Sequence, residues 1–347
     1  MAALPPNAPP DAVTAGAVDR FARDLLQLAE RPSPDRPLAL AVSGGPDSMA
    51  MLALAAAAFP GAVIAATVDH GLRADAADEA AMVARWADAN AVPHTTLTAD
   101  RPPTGASLQA QARRLRYALL GDWAIGCGAG AIATAHHADD QAETFLMRAG
   151  RGSGPAGLAG IRPTWTYQPD RWRTGYPRDG DSVAIVRPLL GWRRAELRAI
   201  AATLPFVDDP SNADPRHDRT AARALLAQGQ IDPVALAAAA AHCREADLAL
   251  TETIDWLWRT RCDMKVEDCR IDVGGLPREL RRRLCRAAIG HVRAIDGSTE
   301  GRWSDAANVE ALLDALDSGG RATQAGVLAS ADGPHWHFRP APPRRTP

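Results

Sequence analysis

The sequence predicts an α/β protein in which a doubly wound parallel sheet is followed by a smaller, mainly helical domain. Three observations lead to this fold class. Short apolar segments alternate with segments of helical length through the first half of the 347 residues. Those short segments are apolar almost throughout, which is typical of parallel strands covered on both faces. Beyond residue 190, helical segments follow one another without apolar strands between them.

The first half of the chain contains one helix and then a series of strand–helix units. The opening helix, 18–30, is amphipathic and ends before Pro32. The predicted strands are 37–42, 62–68, 94–98 and 131–135, and the helices that follow them are 47–59, 74–90, 108–125 and 139–148. A polar, arginine-bearing loop is expected over 164–182, before the apolar segment 183–190.

The second half of the chain changes character. Helices are predicted at 193–203, 218–228, 233–259, 277–295 and 304–317, with β-hairpin material at 322–339. We therefore expect a disordered N-terminus over 1–15, an α/β domain over 16–215, a mainly helical domain over 216–340 and a basic tail over 341–347.

The composition is compatible with two folded domains and excludes several classes of nucleotide enzyme. Apolar residues make up 46% of the chain, and the formal net charge is −2. Lys265 is the only lysine and has no glycine loop beside it. A Walker A loop, a protein kinase and an enzyme with a covalent lysyl intermediate each require a lysine in a defined place. None of these classes fits this sequence.

Cysteine usage and hydropathy predict a cytoplasmic protein with no membrane partner. The five cysteines are widely spaced and form no Cys-x-x-Cys pair, so we expect reduced, mostly buried thiols and no zinc site. The first residues lack the features of a signal peptide. The longest apolar run, 49–60, is too short to cross a bilayer.

The strongest indication of chemistry lies between the first strand and its helix. This segment reads Ser43, Gly44, Gly45, Pro46, Asp47 and Ser48. Its glycines let backbone N–H groups converge on an anion, and the following helix points its positive end at the same place. Asp47 is poorly placed against bare phosphate, so we expect it to hold a Mg²⁺ ion that bridges the phosphates. An ordinary capped glycine turn is the alternative.

A second polar segment, 135–144, follows the fourth strand. Ligands of parallel sheets bind beyond the carboxyl ends of the strands, so this segment should face the same crevice as the glycine loop. Asp140 and Glu143 are three residues apart, on one face of a helical turn. Two convergent carboxylates suit Mg²⁺ or a cationic amine, whereas simple capping of the helix is the alternative.

Two further segments complete the candidate site. His70 follows the second strand, within 68–73, where adenosine is expected, although a capped turn explains the same residues. Arg113 belongs to the arginine-rich stretch 112–117 on the helix 108–125, and arginines three apart suit a phosphate. A solvated helix face is the alternative for this stretch.

Together these motifs resemble a known group of enzymes. SGGPDS at 43–48 is similar to the signature loop of the PP-loop, or N-type, ATP pyrophosphatases, whose fold is of the adenine nucleotide α-hydrolase-like type. Within that group, VDHGLR, ARRLRY and HHADDQAETFLMRAGRGSG resemble the bacterial tRNA(Ile)-lysidine synthetases. RPLL at 187–190, RAEL at 194–197 and DDPSN at 208–212 agree with this resemblance, which is strong over 37–223.

The resemblance implies a reaction and assigns residues to it. The family joins free L-lysine to the wobble cytidine of isoleucine tRNA with a CAU anticodon, after ATP and Mg²⁺ have served to adenylate that cytidine. It implies catalytic roles for Asp47, Asp140 and Arg219, of which Asp47 and Asp140 also hold Mg²⁺. ATP contacts fall to 43–48 and His70, and contacts with lysine or tRNA fall to Arg113, His137, Glu143 and Arg223.

The resemblance also bears on the second domain and on assembly. Recognition of the tRNA is expected within 216–340, including the arginine-rich segment 278–286, for which a solvated helix face is the alternative. Thr220 stands where the family commonly has asparagine, so the role of that asparagine does not carry over. The family analogy also raises a homodimer as an alternative to a monomer.

Three other functions compete with this interpretation. A tRNA thiolase of the same fold commonly needs cysteine pairs, which this chain lacks. A small-molecule synthetase would be expected to show a glutaminase domain or partner, and it leaves the second half of the chain unexplained. A nucleotide sensor with a degenerate site is the non-enzymatic alternative, and the intact Asp47, Asp140 and Glu143 argue against it.

Overall fold

A mainly parallel sheet of six strands forms the centre of Met1–Arg244, the first of two units into which the chain divides; the second is Glu245–Pro347. The computed structural model describes residues 13–69, 76–99, 108–169, 181–208, 218–264, 268–295, 303 and 307–342. The strands of this sheet are β1 (Leu38–Ala41), β2 (Val63–Asp69), β3 (His94–Thr98), β4 (Ala131–Ala133), β5 (Thr164–Tyr167) and β6 (Val183–Val186). Their order is β3-β2-β1-β4-β6-β5, and each pair is parallel except β5 with β6.

Helices cover both faces of this sheet. They are α1 (Ala15–Leu26), α2 (Pro46–Ala58), α3 (Ala76–Ala89), α4 (Leu108–Gly126), α5 (Ala138–Ala149), α6 (Pro155–Leu158), α7 (Arg194–Ala201), α8 (Asp218–Ala227) and α9 (Pro233–Arg261), the last of which continues into the second unit. Leu40 of β1 shares a buried cluster with Met49 of α2. The neighbouring Ala39 shares another with Tyr117 and Leu120 of α4. Because alternate residues of β1 pack in different apolar clusters, the predicted doubly wound α/β fold is confirmed.

The strand order places two loops side by side. β2 and β4 flank β1, and both pair with it in parallel. The sheet extends through β2 to β3 on one side of β1 and through β4 to β6 on the other. The segments that leave β1 and β4 therefore emerge at the same edge, where the direction of winding reverses. Ligands of open α/β sheets bind at such a switch point.

The second unit combines helices with an antiparallel sheet. Besides the end of α9, it contains α10 (Arg278–Ile295), α11 (Glu310–Asp317), β7 (Cys262–Met264), β8 (Cys269–Asp272), β9 (Arg321–Gln324), β10 (Val327–Asp332) and β11 (His335–Pro340). The strands lie in the order β7-β8-β11-β10-β9. Leu284 and Ile289 of α10, Leu313 of α11, and Trp336 and Phe338 of β11 belong to its core.

The sequence pattern predicts this sheet only in part. The hairpin expected over 322–339 is confirmed by the antiparallel pairing of β10 with β11. The pattern does not predict β7 and β8, nor does it predict β5, which lies in the segment 164–182 that is expected to be a loop. Strands of three or four residues carry too little alternation to be distinguished from irregular chain.

Several predicted boundaries lie outside the described residues. These include the domain boundary between 215 and 216, most of the N-terminal segment 1–15, and most of the tail 341–347. The division into two units falls after Arg244, within α9. Of the helices that the structure describes, none combines the length and the apolar composition needed to cross a membrane.

Candidate functional site

The loop between β1 and α2 has the backbone of an anion-binding turn. Gly44 adopts a φ of 83°, which favours glycine, and Gly45 is the N-cap of α2 with Pro46 in its first turn. Ser48 braces the turn, because its Oγ donates to the Gly45 carbonyl at 2.9 Å and accepts from the Ser43 N–H at 3.2 Å. The N-terminus of α2 therefore opens on a rigid loop in which Gly45 has no Cβ to obstruct an anion.

The loop after β4 is organised by His137, which is only 1% exposed. His137 is the N-cap of α5: its Nδ1 accepts from the Asp140 N–H at 3.4 Å, and its own N–H donates to Asp140 Oδ2 at 3.1 Å. In the neutral ring, Nδ1 is therefore the acceptor and Nε2 carries the proton. Nε2 lies 3.4 Å from Asp47 Oδ2 and 3.5 Å from Asp140 Oδ2. One buried imidazole thus joins the two loops.

The surroundings of His137 favour its charged form. Burial lowers the pKa of this imidazole, but the hydrogen bond to Asp47 and the charges of Asp140 and Asp47 outweigh burial, so the pKa is raised overall. Asp47 has a second oxygen, Oδ1, that is buried and finds no hydrogen-bond partner among the described residues. A carboxylate oxygen left in this way is available to a cation.

Glu143 connects three helices at the floor of the site. This carboxylate of α5 is fully buried, and its Oε1 accepts from Arg194 Nη2 of α7 at 2.8 Å and from Arg223 Nε of α8 at 2.9 Å. Its Oε2 accepts from Arg223 Nη2 at 3.4 Å. Burial acts to raise the pKa of Glu143, but the hydrogen bonds from Arg223 and Arg194 outweigh it, so the pKa is lowered. Glu143 is therefore an ionised anchor for two guanidiniums.

These loops and helices surround one cavity of about 870 Å³, a volume within the range of small-molecule sites. Its lining includes Ser43, Gly45, Pro46, Asp47 and Ser48 of the glycine loop, Val68 of β2, Arg113, Arg116 and Tyr117 of α4, Thr134 and His136 after β4, Asp140 of α5, Arg194 of α7 and Arg223 of α8. The cavity thus contains donors for anions at the glycine loop and on α4, α7 and α8, with carboxylates between them.

Most of the predicted site residues meet at this cavity. The lining includes the glycine loop except Gly44, together with Asp140, Arg113 and Arg223. The buried His137 and Glu143 contact residues that line the cavity. His70 lies outside the described residues, and so does the side chain of Arg219.

Several lining residues, among them Arg194 and Tyr117, receive no individual role from the sequence. Arg194 belongs to the RAEL segment and Tyr117 to ARRLRY, so the motifs contain the available signal. Arg194 contacts Glu143, 51 positions away, and Tyr117 contacts Arg187, 70 positions away, so these partners are not evident from the sequence alone.

The arginines of 278–286 are largely ion-paired within the second unit. Arg278 lies 2.6 Å from Asp314 and 2.9 Å from Glu310, both on α11. Arg282 lies 2.6 Å from the same Glu310, and hydrogen bonds from Arg282 and Arg278 lower the pKa of Glu310 to about 2. The remaining pairs are Arg278–Asp317, Arg281–Asp317, Arg282–Glu279, Arg283–Asp247 and Arg283–Glu279. These pairs neutralise much of the basic charge that favoured RNA contact here.

Comparisons with known proteins agree with this geometry. Residues 18–229 match the PP-loop domain family. A tRNA(Ile)-lysidine synthase of Novosphingobium aromaticivorans is 41% identical over 335 residues, which cover 95% of this chain and 96% of that protein. One of Zymomonas mobilis is 42% identical over 316 residues, 89% of each chain. Among solved structures, a U34-tRNA thiolase of Methanococcus maripaludis superposes with a TM-score of 0.51 at 16% identity, covering 67% of this chain and 80% of that one, and so shares the fold.

Proposed function

Because this chain belongs to the tRNA(Ile)-lysidine synthase family, we propose that it ligates free L-lysine to C2 of the wobble cytidine, position 34, of isoleucine tRNA with a CAU anticodon. The cytidine is first adenylated by ATP, and the lysine ε-amine then displaces AMP; pyrophosphate is the other product. The observation that carries this proposal is the convergence of the glycine loop and the His137–Asp140 loop on one cavity. These are the motifs by which the sequence resembles the family.

The chain's PP-loop domain binds ATP. The proposed phosphate contacts are the N-terminus of α2, the backbone of Gly45, and the hydroxyl groups of Ser43 and Ser48. Val68 lines the cavity on β2, and adenosine is proposed to lie on this side, where His70 follows in the chain. The attacking cytidine oxygen must reach the α-phosphate from the opposite side of the cavity, in line with the leaving pyrophosphate.

Asp47 and Asp140 are the proposed ligands of Mg²⁺. Among the described residues, no three His, Cys, Asp or Glu side chains form a metal-binding cluster. Mg²⁺ commonly takes only one or two carboxylates and completes its shell with water and substrate phosphates, so this pair is sufficient. The unpartnered Oδ1 of Asp47 fits a hard cation. Bound there, Mg²⁺ would neutralise charge on the phosphates, while His137 holds both carboxylates in place.

Lysine and the cytidine are proposed to bind on the side of the cavity formed by α5, α7 and α8. Both oxygens of Glu143 are already engaged, so its contribution to lysine binding is indirect and passes through Arg194 and Arg223. These two arginines line the cavity and offer donors to the α-carboxylate of lysine. Arg113 and His137 remain proposed substrate contacts, and Arg219 remains a proposed catalytic residue beside the α-phosphate.

The tRNA is proposed to contact the part of the chain that follows the catalytic domain, within 216–340. Because the arginines of α10 are ion-paired with α11, we propose other basic groups of that region, such as the exposed Arg259 and Arg270, as RNA contacts. A homodimer is proposed from the family alone, and sedimentation velocity of the full chain decides between it and a monomer.

The proposal is tested by lysine transfer. Purified protein is incubated with Mg-ATP, radiolabelled lysine and an isoleucine tRNA transcript carrying the CAU anticodon, with methionine tRNA as the control substrate. Label in the isoleucine tRNA alone, with release of AMP, is the expected result. If pyrophosphate is released in a tRNA-dependent manner without incorporation of label, the adenylation step stands and lysine is the wrong nucleophile. If neither occurs, the proposed function is wrong.

A further inference from the structure

A tyrosine hydroxyl on the α4 wall of the cavity is surrounded by positive charge. Tyr117 is 8% exposed, and its Oη accepts from Arg113 Nη2 at 3.4 Å and from Arg187 Nη2 at 3.5 Å. Its ring is fixed by Trp165, with centroids 5.1 Å apart in an edge-to-face arrangement, and by the Arg113 guanidinium, 5.1 Å above the ring. The hydroxyl therefore occupies a defined position.

Arg187 is an unusual buried charge. It is 4% exposed, its Nη1 donates to the Arg162 carbonyl, and its Nε has no hydrogen-bond partner among the described residues. None of those residues offers it a carboxylate; burial lowers its pKa, and only the contacts with Tyr117 counteract this. A buried guanidinium without a counter-ion is costly. An anion bound nearby would offset this cost.

The Tyr117 hydroxyl can donate one hydrogen bond in addition to those that it accepts. A phenol has one proton to donate, and both contacts of Tyr117 Oη use it as an acceptor. No acceptor for the hydroxyl proton is present among the described residues. Tyr117 and Arg113 line the cavity, so an oxygen atom of a ligand in the cavity can fill this place.

We propose that Tyr117, Arg113 and Arg187 form a phosphate-oxygen subsite on the wall of the cavity formed by α4. Tyr117 and Arg113 contact the phosphate, and Arg187 is a positioning residue that acts through the Tyr117 hydroxyl. Among the described residues, neither Arg113 nor Arg187 has a carboxylate partner, and two such guanidiniums suit a phosphate. The lysine carboxylate is already assigned, by our proposal, to the arginines held by Glu143. This inference rests on the proposed function for its two sources of phosphate, namely ATP and the RNA backbone beside the reacting cytidine.

The test uses Tyr117→Phe, which removes one hydroxyl and keeps the ring. The matched control is Tyr167→Phe. The hydroxyl of Tyr167 donates to Asp122 at 2.9 Å, and Tyr167 does not line this cavity. Affinities of the full-length variants for Mg-ATP and for the isoleucine tRNA transcript are measured by titration, without turnover. Losing a hydrogen bond to a charged group should weaken one of these affinities roughly tenfold or more in Tyr117→Phe. The control should match the wild type.

The two affinities distinguish the source of the phosphate. Weaker binding of Mg-ATP alone assigns the subsite to the nucleotide, and weaker binding of tRNA alone assigns it to the RNA backbone. If both affinities equal those of the wild type, there is no phosphate subsite. Because the titrations need no lysine transfer, the two affinities can be interpreted even if the proposed reaction does not occur.

The role of Arg187 is tested by a double-mutant cycle. Arg187→Lys keeps a charge and loses the geometry of the guanidinium, so it should weaken the same affinity as Tyr117→Phe. If Arg187 acts through the hydroxyl, this substitution should have little further effect in the Tyr117→Phe background. Fully additive effects in a variant that melts at the wild-type temperature would overturn the positioning role.

Discussion

Glu143 offers the sharpest test of how this site is built. Glu143→Gln keeps the size of the side chain and removes the charge that two arginines share at 2.8 and 2.9 Å. Removing one partner of a buried ion pair costs about 3–5 kcal/mol. Arg194 and Arg223 are themselves 26% and 33% exposed, so water compensates them in part. We therefore expect a loss of about 2–3 kcal/mol in the free energy of unfolding.

This loss is measured by thermal and urea denaturation. For a unit of this size, it corresponds to a decrease in Tm of about 4–12 °C. The control is Glu196→Gln. Glu196 lies 2.8 Å from Arg20 in an exposed ion pair, so this substitution should lower the free energy of unfolding by less than about 1 kcal/mol. If Glu143→Gln costs no more than Glu196→Gln, the buried carboxylate does not hold α5, α7 and α8 together.

The pH dependence provides a second check on the same substitution. The pKa of Glu143 is lowered in the folded protein, so the stabilisation from its charge is complete above the ordinary value of 4.5. That stabilisation is lost as the pH falls through the lower folded-state pKa. The difference between wild type and Glu143→Gln should therefore be constant above pH 4.5 and should decrease in more acidic solution. A difference that persists unchanged until acid unfolding would refute the electrostatic explanation.

Two further substitutions and one titration test other parts of the molecule. Asp47→Ala should abolish tRNA-dependent pyrophosphate release; normal turnover would exclude the role of Asp47 with Mg²⁺. The same substitution should lower the Tm only modestly, because Oδ1 has no hydrogen-bond partner among the described residues and Oδ2 loses its contact with His137. In an NMR titration, the pKa of His137 should lie above its ordinary value of 6.5. The stability that the charged imidazole contributes should therefore be present below pH 6.5 and should decline as the pH rises through the folded-state pKa. A pKa at or below 6.5 would contradict the link to Asp47 and Asp140. Arg282→Glu should lower the melting temperature, since it places a carboxylate against Glu310 and Glu279. If the melting temperature is unchanged and tRNA binding becomes weaker and less salt-dependent, the arginines of 278–286 contact RNA after all.

Local chemistry explains what can be predicted from the sequence. The alternation of β1, α2, β2 and α3 depends on hydrophobic period and segment length, which a reader of the sequence can count. The glycine loop is equally readable, because Gly44 meets a backbone requirement that few other residues satisfy. Both are properties of neighbours in the chain, so the fold class and the phosphate loop are recognisable from the order of the residues alone.

Tertiary structure decides how the charges are paired. Arg223 meets Glu143 80 positions away, a pairing that the sequence does not reveal. Arg278 and Arg282 look like an RNA-binding face in the sequence, yet α11 brings Glu310 against both. Ion pairs are governed by distance and burial in space, and sequence separation contains little of either. The sequence therefore identifies the fold and the phosphate loop of this protein, whereas the packing of its helices determines which charges remain available to substrates.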